Sequence, residues 1–191
     1  KITRKNHQGV IAILSAVTYH SLDNLVPQLY EDGILPFVVV LDGITDVRNF
    51  GAISRTCECV GANAIVIPER GSVTVNADAI KTSAGALHHL PVCRERNVVS
   101  AIRFLKDNGY QIVAASEKAQ INYTEADYTG PIALVMGAED VGISPETLKL
   151  CDTFVSIPMF GKISSLNVSV AAGVMMYEVV RQRLNADLSV Q

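Results

Sequence analysis

The chain has 191 residues, of which 49% are hydrophobic and 18% are charged, and its formal net charge is −3. This apolar content is sufficient for the core of one domain and excludes an intrinsically disordered chain. A nucleic-acid-binding domain that works alone is usually basic, because contacts to phosphates supply most of its affinity. No stretch approaches the roughly 18 consecutive apolar residues that predict a membrane span.

Short apolar runs predict the strands of a sheet. They are Val10–Val17, Pro36–Leu41, Ala64–Ile67, Leu90–Cys93, Gln111–Ala115, Ile132–Met136 and Thr153–Ile157. Several runs are continuous rather than alternating, which is typical of a parallel sheet covered on both faces.

Helical periodicity falls between these runs. The predicted helices are Ser21–Glu31, Phe50–Val60, Ala77–Leu87, Val98–Asn108, Pro145–Leu150 and Leu166–Arg183. The alternation of strands and helices predicts a three-layer α/β fold. The most polar connection, Ala119–Thr129, is expected to be a surface loop.

The last predicted helix, Leu166–Arg183, is apolar on nearly every face. A helix of this kind is buried on several sides, so we expect it to form a subunit interface as well as part of the core. Arg181 and Arg183 lie at its end, where positive charge complements the helix dipole.

The four cysteines are Cys57, Cys59, Cys93 and Cys151. Their spacing does not match a zinc site, and residues two apart, such as Cys57 and Cys59, do not face each other on a helix. We therefore expect no metal, and four reduced, largely buried thiols in a cytosolic protein.

The first segment that indicates chemistry follows the predicted strand that ends at Leu41. A polar turn leads to a helix that opens near Asn49, and ligands of open α/β sheets bind at this end of the strands. Taken alone, Asn49 is better explained as a helix cap. Arg55, six residues further on, is equally consistent with a solvated surface arginine.

The second segment joins a buried strand to a helix that starts at Ser144. Gly137, at the strand end, would let a ligand approach the backbone closely, and Gly142 follows an acidic pair. The segment lacks the Gly-Lys-Ser/Thr of a Walker loop, and no G-x-G-x-x-G fingerprint follows the first strand. By itself it also fits ordinary turn chemistry.

The third segment leaves a strand at Pro158 and enters the last helix, for which Ser164 or Ser165 is the expected cap. Asn167 and Ser169 place polar groups where the pattern predicts core. Because buried polar groups need partners, a bound ligand or a neighbouring loop is expected beside them.

In this order and spacing, the three segments resemble the motifs of the SpoU (TrmH-like) family of RNA ribose 2′-O-methyltransferases. The motifs are Asn-x-Gly-x-x-x-Arg at 49–55, Gly-x-Glu-x-x-Gly at 137–142, and Ile-Pro-Met with Ser-Leu-Asn-Val-Ser at 157–169. The similarity extends from about Pro36 to Arg183. Asn6-His-Gln-Gly9 and the stretches 135–139 and 156–159 most resemble the enzymes that methylate a guanosine in 23S rRNA.

The resemblance implies a SPOUT-type α/β knot, in which helices cover both faces of a parallel sheet and the C-terminal segment threads a trefoil knot. The knot would form the pocket for S-adenosyl-L-methionine. The cofactor-binding residues implied are Thr82, Ser83, Ala84, Gly85, Met136, Gly137, Ile157, Met159, Leu166 and Asn167. Family members are homodimers that pack through the terminal helix, and we expect the same here.

The resemblance also implies methyl transfer to a ribose 2′-hydroxyl by Arg55, Asn49, Glu139, Ser165 and Asn167. Because arginine keeps its proton near neutral pH, we interpret Arg55 as a clamp on the neighbouring phosphate rather than as a base. Asn49 would hold Arg55 or the ribose, and Glu139 would orient the second loop. Ser165 and Asn167 would bind the nucleotide or hold the knot loop closed.

The resemblance divides the chain into two parts. Residues 1–34 would be the linker from a missing N-terminal RNA-binding domain together with a lead-in helix, and residues 35–191 the catalytic domain. A missing basic domain agrees with the net charge of −3. The stretch Thr45–Arg48, where relatives often have a proline, and Asp140 leave the substrate selectivity open. His88 and His89 are weaker candidates as proton acceptors.

Three alternatives stay open at this point. A tRNA methyltransferase of the same family would carry the same motifs. A non-catalytic RNA-binding module with this fold predicts a broken motif set, and a nucleotide-dependent enzyme predicts a glycine fingerprint after the first strand. The motif set is intact here, and no glycine fingerprint follows the first strand. The prediction is therefore a cytoplasmic, S-adenosylmethionine-dependent RNA methyltransferase without a metal.

Overall fold

A computed structural model describes residues 17–188 of the chain. The predicted strand Val10–Val17 lies outside the described residues except for Val17, which is a bend. The stretch Asn6-His-Gln-Gly9 lies outside them as well.

Within the described residues, eight strands form one parallel sheet in the order β1-β4-β3-β2-β7-β5-β8-β6. The strands are β1 Tyr19–His20, β2 Phe37–Asp42, β3 Ala64–Pro68, β4 Val92–Glu95, β5 Gln111–Ala115, β6 Ile121–Asn122, β7 Ile132–Gly137 and β8 Thr153–Ser156. In the centre of the sheet, Val39 of β2 pairs with Ile65 on one side and with Leu134 on the other. The six strands predicted from residue 36 onward are confirmed in place.

Helices cover both faces of this sheet. They are α1 Leu22–Glu31, α2 Val47–Cys59, α3 Ala77–Thr82, α4 Val98–Asp107, α5 Pro145–Leu148 and α6 Val168–Leu188. Since side chains alternate along a strand, Val39 packs into the core shared with α2, α3 and α6, whereas Val38 and Val40 pack into the core shared with α1 and α4. The three-layer parallel fold is confirmed, and the trefoil knot stays a prediction.

Two predicted elements differ from the structure. The helix predicted over Ala77–Leu87 ends at Thr82, because Ala84 (φ 52°) and Gly85 (φ 87°) take left-handed backbone conformations that interrupt it. A short 3-10 helix then follows at Ala86–His88.

The segment Ala119–Thr129 is only partly the surface loop that its polarity predicts. It contains β6, which pairs with β8, and Tyr128 is fully buried. The Tyr128 hydroxyl donates to the backbone oxygen of Tyr123 at 2.8 Å. The polar composition of the segment did not indicate this burial, because it depends on one aromatic side chain, Tyr128.

Arg183 ties α6 to the amino ends of β2 and β7. Its guanidinium donates to the backbone oxygens of Leu35 (3.1 Å), Pro36 (2.9 Å), Gly130 (2.8 Å) and Tyr128 (3.3 Å). Its desolvation lowers the pKa of the guanidinium. Because α6 continues to Leu188, Arg181 and Arg183 do not lie at its end as predicted, and Arg183 instead holds these four carbonyl groups.

The cysteines of the described residues are free, and they differ in burial. Cys57 and Cys93 are buried and Cys151 is half-buried, whereas Cys59 is exposed, against the expectation of largely buried thiols. Burial raises the pKa of Cys93 to about 12, so this thiol stays protonated at neutral pH. Among residues 17–188 no cluster of side chains suits a metal ion, and no helix has the length and apolarity to cross a bilayer.

Candidate active site

The first motif begins on a helix capped by Asp46, not by Asn49. The Asp46 carboxylate accepts the backbone N–H groups of Arg48 (2.7 Å) and Asn49 (3.1 Å), and α2 starts at Val47. Together with the Arg48 side chain, these donors lower the pKa of Asp46. The helix-cap interpretation of Asn49 is therefore wrong, and its carboxamide is left free for other partners.

The carboxamide of Asn49 meets the other two motifs. Its nitrogen donates to one carboxylate oxygen of Glu139 at 3.3 Å. Asn167 donates to the Asn49 side-chain oxygen at 3.0 Å and to the other Glu139 oxygen at 3.2 Å. Three residues from segments far apart in sequence thus form one closed hydrogen-bond network, which we call the Asn–Glu–Asn network.

Asn167 also caps α6. Its side-chain oxygen accepts from the backbone nitrogen of Ser169 at 3.0 Å and from the Ser169 hydroxyl at 2.6 Å. The expected caps, Ser164 and Ser165, are wrong because the helix begins later, at Val168. Asn167 is exposed and is therefore not the buried polar group that the sequence predicted. Its side chain does, however, form hydrogen bonds with neighbouring segments, as expected.

The second motif is a tight turn that only glycine permits at its first position. A Cβ on Gly137 would lie 2.2 Å from the carbonyl carbon of Gly142 and 2.3 Å from the nitrogen of Ile143. Ala138 and Gly142 exchange two backbone hydrogen bonds, of 3.1 and 2.8 Å. The turn is held to the end of β2 by Asp42, which accepts the Ser144 N–H at 2.9 Å. Glycine is therefore required at position 137 because the backbone at Gly142 and Ile143 lies too close for a side chain.

A cavity of about 300 Å³ lies at the carboxyl ends of β5, β7 and β8. Ligands of open α/β sheets bind at this end. Five of the predicted cofactor residues line the cavity: Met136, Gly137, Ile157, Met159 and Leu166. The catalytic candidates Glu139 and Ser165 also line it.

Sequence reasoning missed one side of this cavity. Ala115, Ser116, Glu117 and Lys118, which follow β5, also line it. The sequence did hold an indication of this side, because β5 is a buried strand followed by polar residues. Its carboxyl end lies at the same edge of the sheet as the carboxyl ends of β7 and β8.

The structure places the predicted cofactor segment Thr82–Gly85 elsewhere. A Cβ on Gly51 of α2 would lie 2.6 Å from the Cβ of Thr82, so the end of α3 packs tightly against the first motif. None of these four residues lines the cavity described above. Their contact with the cofactor therefore stays a prediction, whereas the packing of Thr82 against α2 explains the glycine of the first motif.

Arg55 is exposed on α2 and belongs to no ion pair among the described residues. The structure does not bring it to Asn49, whose carboxamide is occupied by Glu139 and Asn167. The hypothesis that Asn49 holds Arg55 is therefore wrong for this structure. The Arg55 guanidinium is available for a partner from outside the chain.

Residues 36–177 match the SpoU rRNA Methylase family. The chain belongs to this family. It is 41% identical to a 23S rRNA (guanosine-2′-O-)-methyltransferase, RlmB, of Yersinia pestis, over 93% of this chain and 72% of that protein. A TrmH-family tRNA/rRNA methyltransferase of Bacillus subtilis, YacO, is 40% identical over 93% of this chain and 71% of its own length.

Solved structures of family members share the fold. The SpoU methyltransferase AviRb of Streptomyces viridochromogenes, in complex with the cofactor AdoMet, superposes with a TM-score of 0.74 at 29% identity. The match covers 79% of this chain and 62% of AviRb, so the chain spans less than two thirds of that protein. The A. aeolicus TrmH/SpoU tRNA modifying enzyme has a TM-score of 0.72 at 32% identity and covers 89% of this chain and 88% of its own.

Proposed function

We propose that this chain transfers the methyl group of S-adenosyl-L-methionine to a ribose 2′-hydroxyl of RNA. The observation that carries the proposal is the Asn–Glu–Asn network, in which all three family motifs meet beside a cavity at the carboxyl ends of the strands.

The composition of the cavity fits the cofactor. Its volume lies within the range of small-molecule sites. Ile157 and Leu166 offer apolar contacts for a flat base. The carboxylates of Glu117, Glu139 and Asp140 outnumber the single ammonium of Lys118, which suits a ligand that carries a sulfonium and an amino group. Bound there, the cofactor supplies a methyl group that is already activated.

The chain itself must then position the acceptor. A ribose hydroxyl is a weak nucleophile, so alignment behind the methyl group is the main contribution expected of the protein. We propose that Arg55 holds the phosphate next to the target ribose through its planar guanidinium. The Asn–Glu–Asn network holds the cavity loops against α2, so that Arg55 keeps a defined position relative to the cavity.

The RNA substrate we propose is 23S rRNA, with a guanosine as the target. The 41% identical Yersinia pestis protein is a 23S rRNA guanosine methyltransferase, and its coverage of this chain is 93%. The 32% identical A. aeolicus protein is a tRNA modifying enzyme, and this makes tRNA the second candidate. The domain boundary predicted at residue 35 does not fit the fold, because β1 pairs with β4 and α1 packs into the core of the catalytic domain. We further propose that the stretch before β1 links this domain to an RNA-binding domain, and that the protein acts in the cytoplasm.

The surface of α6 supports a homodimer. Val170, Tyr177, Leu184 and Leu188 are 52%, 56%, 58% and 71% exposed, and they recur at helical spacing along one stripe. We call this set the α6 stripe. Exposed apolar surface of this kind, interrupted here by Arg181, marks interfaces. We propose that a second copy of the chain covers it.

The test is direct methylation. The chain is incubated with S-adenosylmethionine and with 23S rRNA or total tRNA transcribed in vitro, and the RNA is mapped by mass spectrometry. We expect a 2′-O-methyl group at one rRNA guanosine, and binding of the cofactor in a calorimeter without added metal. A folded chain that binds the cofactor at no concentration up to millimolar contradicts the proposal.

A further inference from the structure

The loop between β8 and α6 carries an unexplained aromatic side chain. Phe160 is 98% exposed, and Ile163 in the same loop is 79% exposed. Met159 and Ser164, their immediate neighbours, line the cavity. An isolated exposed apolar residue is ordinary, but a phenylalanine with almost no protein contact at the edge of a ligand site is in position to contact a ligand.

Methyl transfer to a ribose hydroxyl also requires that the base of the target nucleotide be held, and no residue assigned above has this role. The reaction takes place on the sugar, whereas the orientation of the sugar also depends on its base. Aromatic side chains hold unpaired bases by stacking, and this works for any base because each has a π-face. The Asn–Glu–Asn network and Arg55 offer polar groups only.

We propose that Phe160 is a stacking platform for an unpaired base of the RNA strand whose ribose enters the cavity. This inference rests on the proposed function, because it assigns a binding residue to the same site. Phe160 would orient the nucleotide from the base side, while Arg55 holds the phosphate side. Lys162, two residues along the exposed loop, places a positive charge where the RNA backbone would pass.

The loop fits RNA better than a second copy of the chain. Apart from the exposed Ile163, the residues that follow Phe160 in the loop are Gly161, Lys162, Ser164 and Ser165, all exposed and none of them apolar. Interfaces between copies are depleted in lysine and serine. The α6 stripe, in contrast, is a separate apolar set at regular helical spacing and suffices for a helix-to-helix contact.

A fluorescence experiment tests the stack without relying on activity. The chain has no tryptophan, so Phe160→Trp introduces a single reporter, and Ile163→Trp in the same loop is the matched control. Each variant is titrated with a single-stranded oligoadenylate of eight nucleotides. We expect saturable quenching at position 160 and weaker quenching at position 163. No quenching at position 160, or equal quenching at both, overturns the proposal.

A kinetic experiment separates stacking from structure. Phe160→Ala should raise the KM for RNA about 5- to 150-fold, the range expected for one lost base–aromatic stack, with unchanged cofactor affinity and sedimentation. Phe160→Tyr should restore the KM, and Ile163→Ala should leave it unchanged. A Phe160→Ala variant that becomes monomeric assigns the ring to a protein interface and overturns the proposal. Quenching in the Phe160→Trp variant, together with no methylation of RNA by the wild-type chain, would instead refute the proposed function alone.

Discussion

The Asn167 carboxamide donates a hydrogen bond to the side-chain oxygen of Asn49 across 3.0 Å, although 118 residues separate them in the chain. Both side chains also donate to the carboxylate of Glu139. The start of α2, the turn after β7 and the start of α6 are therefore joined at a single point. Each of the three segments is therefore held at the cavity in part by the other two.

This relationship predicts strong coupling between the two asparagines. Asn49→Ala and Asn167→Ala should each lower kcat/KM, and the double variant should lose less than the sum, with a coupling of about 0.5–3 kcal/mol. Methyl-transfer kinetics of the wild type, the two single variants and the double variant measure this coupling energy. Asn24→Ala, an exposed asparagine on α1, is the control. Strictly additive effects would show that the network does not act as a unit.

The turn after β7 predicts an intolerance of any side chain at Gly137. Gly137→Ala places a Cβ 2.2 Å from backbone that cannot move without opening the turn. We expect cofactor affinity to fall at least about tenfold, equal to roughly 1.4 kcal/mol, as measured by calorimetry. Gly130→Ala, where a Cβ meets nothing within 4 Å, should bind normally. Normal binding by both variants would remove the turn from the cofactor site.

Arg55 is expected to act on the RNA and not on the cofactor. Arg55→Ala should lower the methyl-transfer rate about a hundredfold or more, the usual scale for a lost positioning group, with cofactor affinity nearly intact. Arg103→Ala, an exposed arginine on α4, should retain full activity. If Arg55 is a clamp, wild type and Arg55→Ala share one pH dependence of the rate with a constant offset. A rise with pH that vanishes in Arg55→Ala would identify a base instead.

The dimer proposal predicts opposite results for neighbouring positions of α6. Tyr177→Glu and Leu184→Glu change exposed residues of the α6 stripe and should give folded monomers in sedimentation. Met176 and Val179 of the same helix are 0% exposed in the core. A charge at Met176 should therefore unfold the chain, visible as loss of cooperative thermal unfolding. A stripe variant that stays dimeric would place the interface elsewhere.

The lowered pKa of Glu178 predicts how the free energy of unfolding depends on pH. Its buried carboxylate accepts two hydrogen bonds from Arg181, of 2.8 and 2.6 Å, and the contact to Arg181 lowers the pKa of Glu178 below its ordinary value of 4.5. A lowered folded-state pKa stabilises the fold above that ordinary value, and the contribution is lost as the pH falls through the folded-state pKa.

The measurement is urea unfolding of wild type and Glu178→Gln at a series of pH values from neutral to below 4.5. We expect Glu178→Gln to be the less stable protein at neutral pH, and the difference in the free energy of unfolding to shrink as the pH falls. A difference that stays constant across the series would show that the carboxylate charge does not contribute.

Sequence alone was enough for the strands, the three motifs and five residues of the cavity, because each is a local pattern. A buried parallel strand appears as a continuous apolar run such as Phe37–Leu41, whatever its neighbours are. The three motifs indicate the family in the same way, because the types of their residues and their order and spacing along the chain can be read directly from the sequence. Met136, Gly137, Ile157, Met159 and Leu166 follow directly from those motifs.

Tertiary structure alone decided which residues touch. Asp46 rather than Asn49 caps α2, because a cap depends on backbone geometry at one turn, and this freed Asn49 for Glu139 and Asn167. Thr82 proved to be packing against Gly51 because two helices approach closely there. The side of the cavity after β5 and the four carbonyls held by Arg183 likewise join segments far apart in sequence. Such contacts depend on how strands are ordered across the sheet, and that order is not written in any local pattern.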